Sequence, residues 1–304
     1  MLREVAEALA DSAHVEAEVR AESTREAQRL VATVLDQTPA QLGLRLRAGP
    51  PLAPAEADAI HRATVRRVAG EPLAYAVGSA AFRTLVLQVD PRVLIPRPET
   101  EEVVGVALSL AAQTPGGLAI DIGTGSGAIA LSLAVEGHFD RVVATDLSAD
   151  ALGVARANAR RVSPPVPVEF RLGADLAPVA GEQARLIVSN PPYIAHAEAP
   201  QLAPGVRNWE PPVALFAGEG GMARYHALLG GAMSLLEPGG WLVLEVDARR
   251  AHHTAELARA QGFASVGVMC DLSGRDRILV AQRPLEAASH PAVLPNPAGG
   301  GHDA

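Results

Sequence analysis

The chain has 304 residues, 48% of them hydrophobic, and a net charge of −8. This supplies a core for one large or two ordinary domains, and the acidic balance excludes a global basic footprint for nucleic acid. All 26 basic residues are arginine, which excludes lysine-nucleophile and Schiff-base chemistry, and the single cysteine excludes an intrachain disulfide or a cysteine zinc cluster. That cysteine, Cys270, ends an apolar run and reads as a packed core residue. Met1 to Arg20 carry acidic side chains throughout and lack an apolar signal core, and no apolar run reaches transmembrane length. A cytoplasmic location is expected.

Residues 2 to 70 read as helices. Leu2, Val5, Ala6 and Leu9 share one face, and Ala27, Leu30, Val31, Val34 and Leu35 repeat that spacing. Ser23 or Thr24 is placed to cap the second helix, with Glu26 in its first turn. Thr38-Pro39 opens a further helix. Pro54 suits the first turn of a helix that Gly70 ends. No catalytic spacing occurs here, so a small helical bundle for scaffolding or partner recognition is expected. Residues 72 to 95 are rich in β-formers from Phe82 to Val89 and read as a β-hairpin connector.

Leu94 to Glu101 holds Pro96-Arg97-Pro98, in which two prolines pin the backbone of one arginine. Glu99 to Glu102 then begin a helix, where acidic groups suit the helix dipole. From Leu118 strands and helices alternate. Strands are expected at 118–122, 141–145, 166–170, 185–189, 240–246, 264–270 and 276–282, and helices at 126–135, 148–160, 221–236 and 249–260. Such alternation builds a mostly parallel sheet covered on both faces, with the last two strands joined as a hairpin. After residue 284 the composition turns to Pro, Gly, Ala and His without periodicity, which reads as a disordered tail.

Three stretches carry chemistry. Ala119 to Ile122 is a buried strand, and Gly123-Thr124-Gly125-Ser126-Gly127 follows before a helix. The glycines bring a ligand against bare backbone at a helix N-terminus. The loop also satisfies the dinucleotide pattern with Ala128, so by itself it fits a nicotinamide cofactor or S-adenosylmethionine equally. Asp146 ends the next strand, about 20 residues on, where an acid accepts from ribose hydroxyls. Asp121 beside the loop favours a cationic amino group over a pyrophosphate. Asp175 and Leu176 after the third strand are candidates for the adenine amino group and ring face, with Asp175 alternatively a turn residue. The third stretch is Ser189-Asn190-Pro191-Pro192-Tyr193. The prolines must stop the strand that ends there, leaving a stiff polar corner at a strand end, where open α/β sheets place their chemistry. His138, His226, His252 and His253 show no metal spacing with carboxylates, and no metal is expected.

Together these residues resemble the bacterial N5-glutamine methyltransferases of peptide chain release factors (PrmC/HemK family). The resemblance runs from about residue 20 to 283. It rests on Gly70 to Tyr75, Ile95 to Glu101, Asp121 to Gly127, Asn190 to Tyr193, Glu210-Pro211 and Leu272 to Arg277. Asn-Pro-Pro-Tyr alone is shared with adenine-N6 nucleic-acid methyltransferases. The Arg97-Pro98-Glu99 segment discriminates further, since a sister family acting on a ribosomal protein typically has Arg-Ser-Pro there.

The resemblance implies a class I S-adenosylmethionine-dependent, Rossmann-like α/β domain at 96–283. A substrate-recognition bundle (1–71), a hairpin linker (72–95) and a tail (284–304) complete the chain. It implies transfer of a methyl group from S-adenosyl-L-methionine to the side-chain nitrogen of the glutamine in the Gly-Gly-Gln motif of release factors, with S-adenosyl-L-homocysteine as product. Asn190, Pro191 and Tyr193 would be catalytic. Asp121, Gly123 to Gly127, Asp146, Asp175, Leu176 and Asn190 would hold the cofactor. Asn190 to Tyr193, Arg97 and Glu99 would hold the substrate. A monomer is expected, with no membrane or direct nucleic-acid partner. Asp247 and Arg250 depart from the family pattern after Glu245.

Overall fold

A computed structural model describes residues 1–285. The expected tail therefore falls almost wholly outside the described residues. Helices α1 (Leu2–Ala10), α2 (Ala17–Ala21), α3 (Ser23–Val34), α4 (Pro39–Ala48) and α5 (Pro54–Val68) pack around Val5, Leu9, Leu30, Val31, Leu42 and Ile60. Thr38 caps α4 by accepting from Gln41 N, while Pro54 opens α5. Neither Ser23 nor Thr24 caps α3, which starts at Ser23 with Glu22 as N-cap. A capping side chain needs an extended backbone. Glu22 instead ends α2 and enters α3 within one residue, at φ −106° and ψ 25°. Glu26 is buried and accepts from Arg67 Nε at 2.9 Å, so it serves the bundle core.

The connector is half helical. Leu73–Val77 forms α6, one turn between Pro72 and the left-handed Gly78, and only then do β1 (Ser79–Phe82) and β2 (Leu85–Gln88) pair. The apolar run was too short for its period to reveal that turn. Asn158 grips the hairpin by accepting from Gln88 N (2.7 Å) and donating to Gln88 O (2.9 Å) and Ser126 O (2.9 Å). Arg83 adds a two-pronged ion pair with Glu136.

The remaining elements are α7 (Pro98–Ala111), β3 (Leu118–Ile122), α8 (Ala128–Glu136), β4 (Arg141–Asp146), α9 (Ala149–Val162), β5 (Val168–Leu172), β6 (Ala184–Ser189), α10 (Pro204–Trp209), α11 (Pro212–Leu215), α12 (Ala223–Leu235), β7 (Leu236–Glu245), α13 (Ala251–Ala260), β8 (Ala264–Cys270) and β9 (Asp276–Gln282). Seven strands form one sheet in the order β5-β4-β3-β6-β7-β9-β8, all parallel except β9. Apolar side chains of α7, α8 and the hairpin cover one face, and those of α12 and α13 cover the other. β5 begins two residues later than expected because Pro164, Pro165 and Pro167 have no N–H for the ladder. β7 begins earlier and absorbs a register shift between its Leu236 and Trp241 pairings.

Cys270 is exposed, against expectation. β8 is one of the sheet's two edge strands, with both its ends open to solvent. An apolar run does not disclose where in the strand order it will lie.

Candidate active site

The strand order reverses at β3, which lies between β4 and β6, all parallel. Crossovers diverge at such a point and leave a crevice beyond the strand ends. The glycine loop leaves β3 there, and the Asn-Pro-Pro-Tyr corner leaves β6. Ser189 Oγ donates to Ile122 O at 2.7 Å and ties the two exits together.

Gly123, Gly125 and Gly127 take positive φ of 75°, 55° and 86°. A Cβ on Gly123 or Gly125 would meet nothing within 4 Å, so their bare backbone faces the open cleft. Gly127 instead needs closeness, with Leu131 and Ala155 at 3.2 and 3.4 Å from its would-be Cβ. Asp146 accepts from Gly125 N at 2.9 Å and from Ser148 N at 2.8 Å, fixing the loop and the start of α9. It stands in the wall of a cleft of about 1050 Å³, measured with its open mouth, along with Gly123 to Ser126, Asp175 and Asn190 to Pro192.

Asp121 lies behind this wall and is fully buried. Its Oδ2 accepts from Thr124 Oγ1 at 2.6 Å and Ala130 N at 3.0 Å, whereas its Oδ1 has no partner. Burial pushes its carboxyl up to about 7 against the pull of those two bonds. Asp175 reaches the cleft, but both its oxygens accept from Arg224 Nη1, at 3.0 and 2.9 Å. Leu176 does not line the cleft; its side chain packs at Gly231 of α12.

A second cavity of about 430 Å³ adjoins the first, and Asn190, Pro191, Pro192 and Arg97 line both. Tyr193, Val206, Leu215 and Glu245 are among its other wall residues. Asn190 Nδ2 donates to Thr100 Oγ1 at 3.0 Å, so Oδ1 is the end of the amide left free of that contact. Thr100 Oγ1 donates onward to Glu245 Oε2 at 2.6 Å, and Tyr193 Oη lies 3.5 Å from Glu245 Oε1. Burial pushes the Glu245 carboxyl up to about 7, opposed by the Thr100 hydrogen bond and the charge of Arg277. Burial, then the Glu245 charge, raises the Tyr193 phenol.

Arg97 is committed to a partner: its Nη2 donates to the buried Glu210 Oε1. Glu99 sits in the first turn of α7 and lines neither cavity. Glu210 belongs to an excursion between β6 and β7 whose base is closed by an isolated bridge, outside the sheet, between Ile194 and Phe216. Asp247 and Arg250, the departures from the family pattern, join this excursion. Arg249 and Arg250 each pair with both Asp247 and Glu198.

Sequence reasoning assigned no role to Thr100, Glu210, Glu245 or Arg224. It also passed over Leu147, which is half exposed and lines the cleft directly after Asp146. The last position on a buried strand was the available signal for Glu245. Thr100 lies within the Ile95 to Glu101 segment that carries the resemblance, but nothing in that segment shows that it reaches Asn190.

Two family models match the chain: the PrmC N-terminal domain over residues 1–78 and the Methyltransferase small domain over residues 106–203. A release factor glutamine methyltransferase of Cereibacter sphaeroides is 41% identical over 263 residues, 86% of this chain and 92% of the relative. Another, of Moorella thermoacetica, is 44% identical over 233 residues, 76% of this chain and 82% of that protein. Among solved structures, a methyltransferase from Pyrococcus furiosus aligns with a TM-score of 0.51 at 17% identity, covering 77% of this chain and all of that one. That likeness is one of fold, the class I methyltransferase fold.

Proposed function

The chain belongs to the release factor glutamine methyltransferase family, and we propose that it methylates the side-chain amide nitrogen of the glutamine in the Gly-Gly-Gln motif of peptide chain release factors. The observation that carries this reading is Asn190, which lines both cavities and points Nδ2 away toward Thr100. One cavity suits a methyl donor and the other a small planar amide, with Asn190 at their seam.

The donor we infer is S-adenosyl-L-methionine. The residues fit it on two counts: open backbone at Gly123 and Gly125, and the Asp146 carboxylate in the wall. Gly123 to Ser126 and Asp146 would hold it, Asp146 accepting from ribose hydroxyls, while Gly127, packed against Leu131 and Ala155, serves only the turn. Asp175 keeps lone pairs for an adenine amino group beside its bonds to Arg224. When bound, this cofactor supplies a methyl group on a sulfonium centre.

An amide nitrogen is a poor nucleophile because its lone pair is shared with its carbonyl. Asn190 Oδ1 and the Pro191 carbonyl accept from its two N–H groups and aim the nitrogen toward the donor cleft. Tyr193 packs against the planar amide. The same acceptors stabilise positive charge developing on the nitrogen. Nitrogen that has gained a methyl is far more acidic, so no base is needed beforehand, and one N–H proton is released after transfer. Positioning of this kind is worth up to about 7–11 kcal/mol.

Arg97 shapes the wall between the cavities through Glu210. The N-terminal bundle, with α10 laid beside Glu16 and Pro72, is the surface proposed to dock the release factor. No helix among the described residues is long and apolar enough to cross a membrane. The proposed setting is the cytoplasm, where release factors act. Incubation with a release factor and methyl donor, followed by mass spectrometry of a digest, should find one methyl on the Gly-Gly-Gln glutamine. An unmodified peptide would overturn the reading.

A further inference from the structure

An asparagine side chain is nearly symmetric in shape, and only its hydrogen bonds decide which end faces the substrate. At Asn190 that decision is made two residues away from the substrate. The Glu245 carboxylate is 2% exposed and, when ionised, only accepts. It therefore takes the hydroxyl proton of Thr100, also buried, at 2.6 Å. Thr100 Oγ1 then has only lone pairs to offer, and Asn190 answers with Nδ2 at 3.0 Å. Oδ1 is left as the end that meets the glutamine.

We propose that Thr100 and Glu245 are positioning residues for methyl transfer, fixing the Asn190 amide with its oxygen toward the substrate nitrogen through a one-way chain of hydrogen bonds. The chain spans three elements: Glu245 ends β7, Thr100 lies in the first turn of α7, and Asn190 follows β6. It rests on the reading of Asn190 Oδ1 as acceptor for the glutamine N–H.

Its direction depends on the charge of Glu245. A neutral carboxyl donates to Thr100 Oγ1, which frees the threonine proton for Asn190 and favours the reversed amide. The groups facing Glu245 are Thr100 and Glu99 from α7, Tyr193 from the corner, Tyr225 from α12 and Arg277 from β9, with Arg277 the cation among them. Burial outweighs Arg277 and brings this carboxyl up to about 7.

The test uses the full-length enzyme with a release factor as substrate. Thr100→Val keeps the shape and removes the hydroxyl. It should lower kcat about 100-fold, the scale of a small misplacement of reacting groups. KM for the release factor and cofactor affinity by calorimetry should be unchanged. Thr100→Ser should restore most of the rate. Wild-type kcat should rise as pH passes through about 7, and Glu245→Gln, which cannot ionise, should flatten that rise. Melting temperatures check folding, and the Glu245→Gln profile decides the matter if Thr100→Val does not fold. Wild-type kcat in Thr100→Val, equal loss in Thr100→Ser, or a rise that survives Glu245→Gln would each overturn the proposal. Wild-type enzyme that leaves the release factor unmethylated would overturn the underlying reading instead.

Discussion

Replacing Arg97 with alanine should destabilise the protein in a way that depends on pH. Arg97 is the charged partner of Glu210, whose side chain is 1% exposed, while Arg97 itself is 33% exposed. Glu210 already sits above the ordinary carboxylate range because burial disfavours its charge, and Arg97 is the main influence pulling it back. A carboxyl raised in the folded state contributes stability that is complete below its unfolded value and is lost as pH climbs through its folded value. Without Arg97 the folded value moves higher still, so more stability is lost at neutral and alkaline pH. Below about pH 4 Glu210 is neutral with or without Arg97, and the charge-dependent deficit disappears. Breaking a buried pair costs about 3–5 kcal/mol, and partial exposure of the arginine reduces this to about 2 kcal/mol. In a chain of 304 residues that is a fall of about 3 °C in Tm at alkaline pH, measurable by scanning calorimetry. Adding Glu210→Gln should leave a deficit that no longer varies with pH. A fall in Tm of equal size at acid and alkaline pH in Arg97→Ala would refute the reasoning.

Asn190→Ala should abolish methyl transfer to the release factor while retaining part of the cofactor affinity; turnover equal to wild type in a labelled-methyl assay would sink the assignment. Asp146→Ala removes a charge-assisted hydrogen bond to the cofactor, worth about 1.5–3 kcal/mol, so Kd should rise about 10- to 150-fold by calorimetry. An unchanged Kd would show that Asp146 serves only Gly125 and Ser148. Asp121, raised by burial to about 7, contributes stability present below its unfolded value and lost as pH rises toward 7. That loss is on the order of 4 kcal/mol, and Asp121→Asn should flatten it in denaturant titrations. A stability profile unaltered by the substitution would mean the carboxyl is not neutralised in this window.

The two loops that build the site were legible because each follows a buried strand and carries its own punctuation. Glycine at Gly123 and proline at Pro191 stop a strand whatever the rest of the chain does. The antiparallel β9 was legible too, since the short link before Asp276 leaves no room for a helix crossover. Contacts spanning long sequence distances were not. Thr100 meets Glu245 across 145 residues and Asn190 across 90, and Arg97 meets Glu210 across 113. Those meetings depend on the first turn of α7 reaching the ends of β6 and β7, which no local pattern states. Cys270 and Leu176 failed for a related reason. An apolar side chain buries against whatever the strand order places next to it, and that order places β8 at the edge and α12 beside Leu176.

Asp121 and Glu245 follow one physical plan at two strand ends. Each ends or nearly ends a buried parallel strand, each accepts a threonine hydroxyl at 2.6 Å, and each is pushed by burial to about 7. Asp121 also takes Ala130 N, so its carboxylate holds the glycine loop against the start of α8. Glu245 holds Thr100, and through it the Asn190 amide. Neither oxygen pair lies open to the donor cleft. Their effect reaches a substrate through dipoles they fix in place, which need not reorganise when charge develops. Desolvating two carboxylates lowers stability at neutral pH, and rigidity at the two loops is what that loss secures. A hydrophobic residue at either position would relieve the desolvation, yet it would leave Thr124 or Thr100 free to turn and the loop or amide beyond it without a direction.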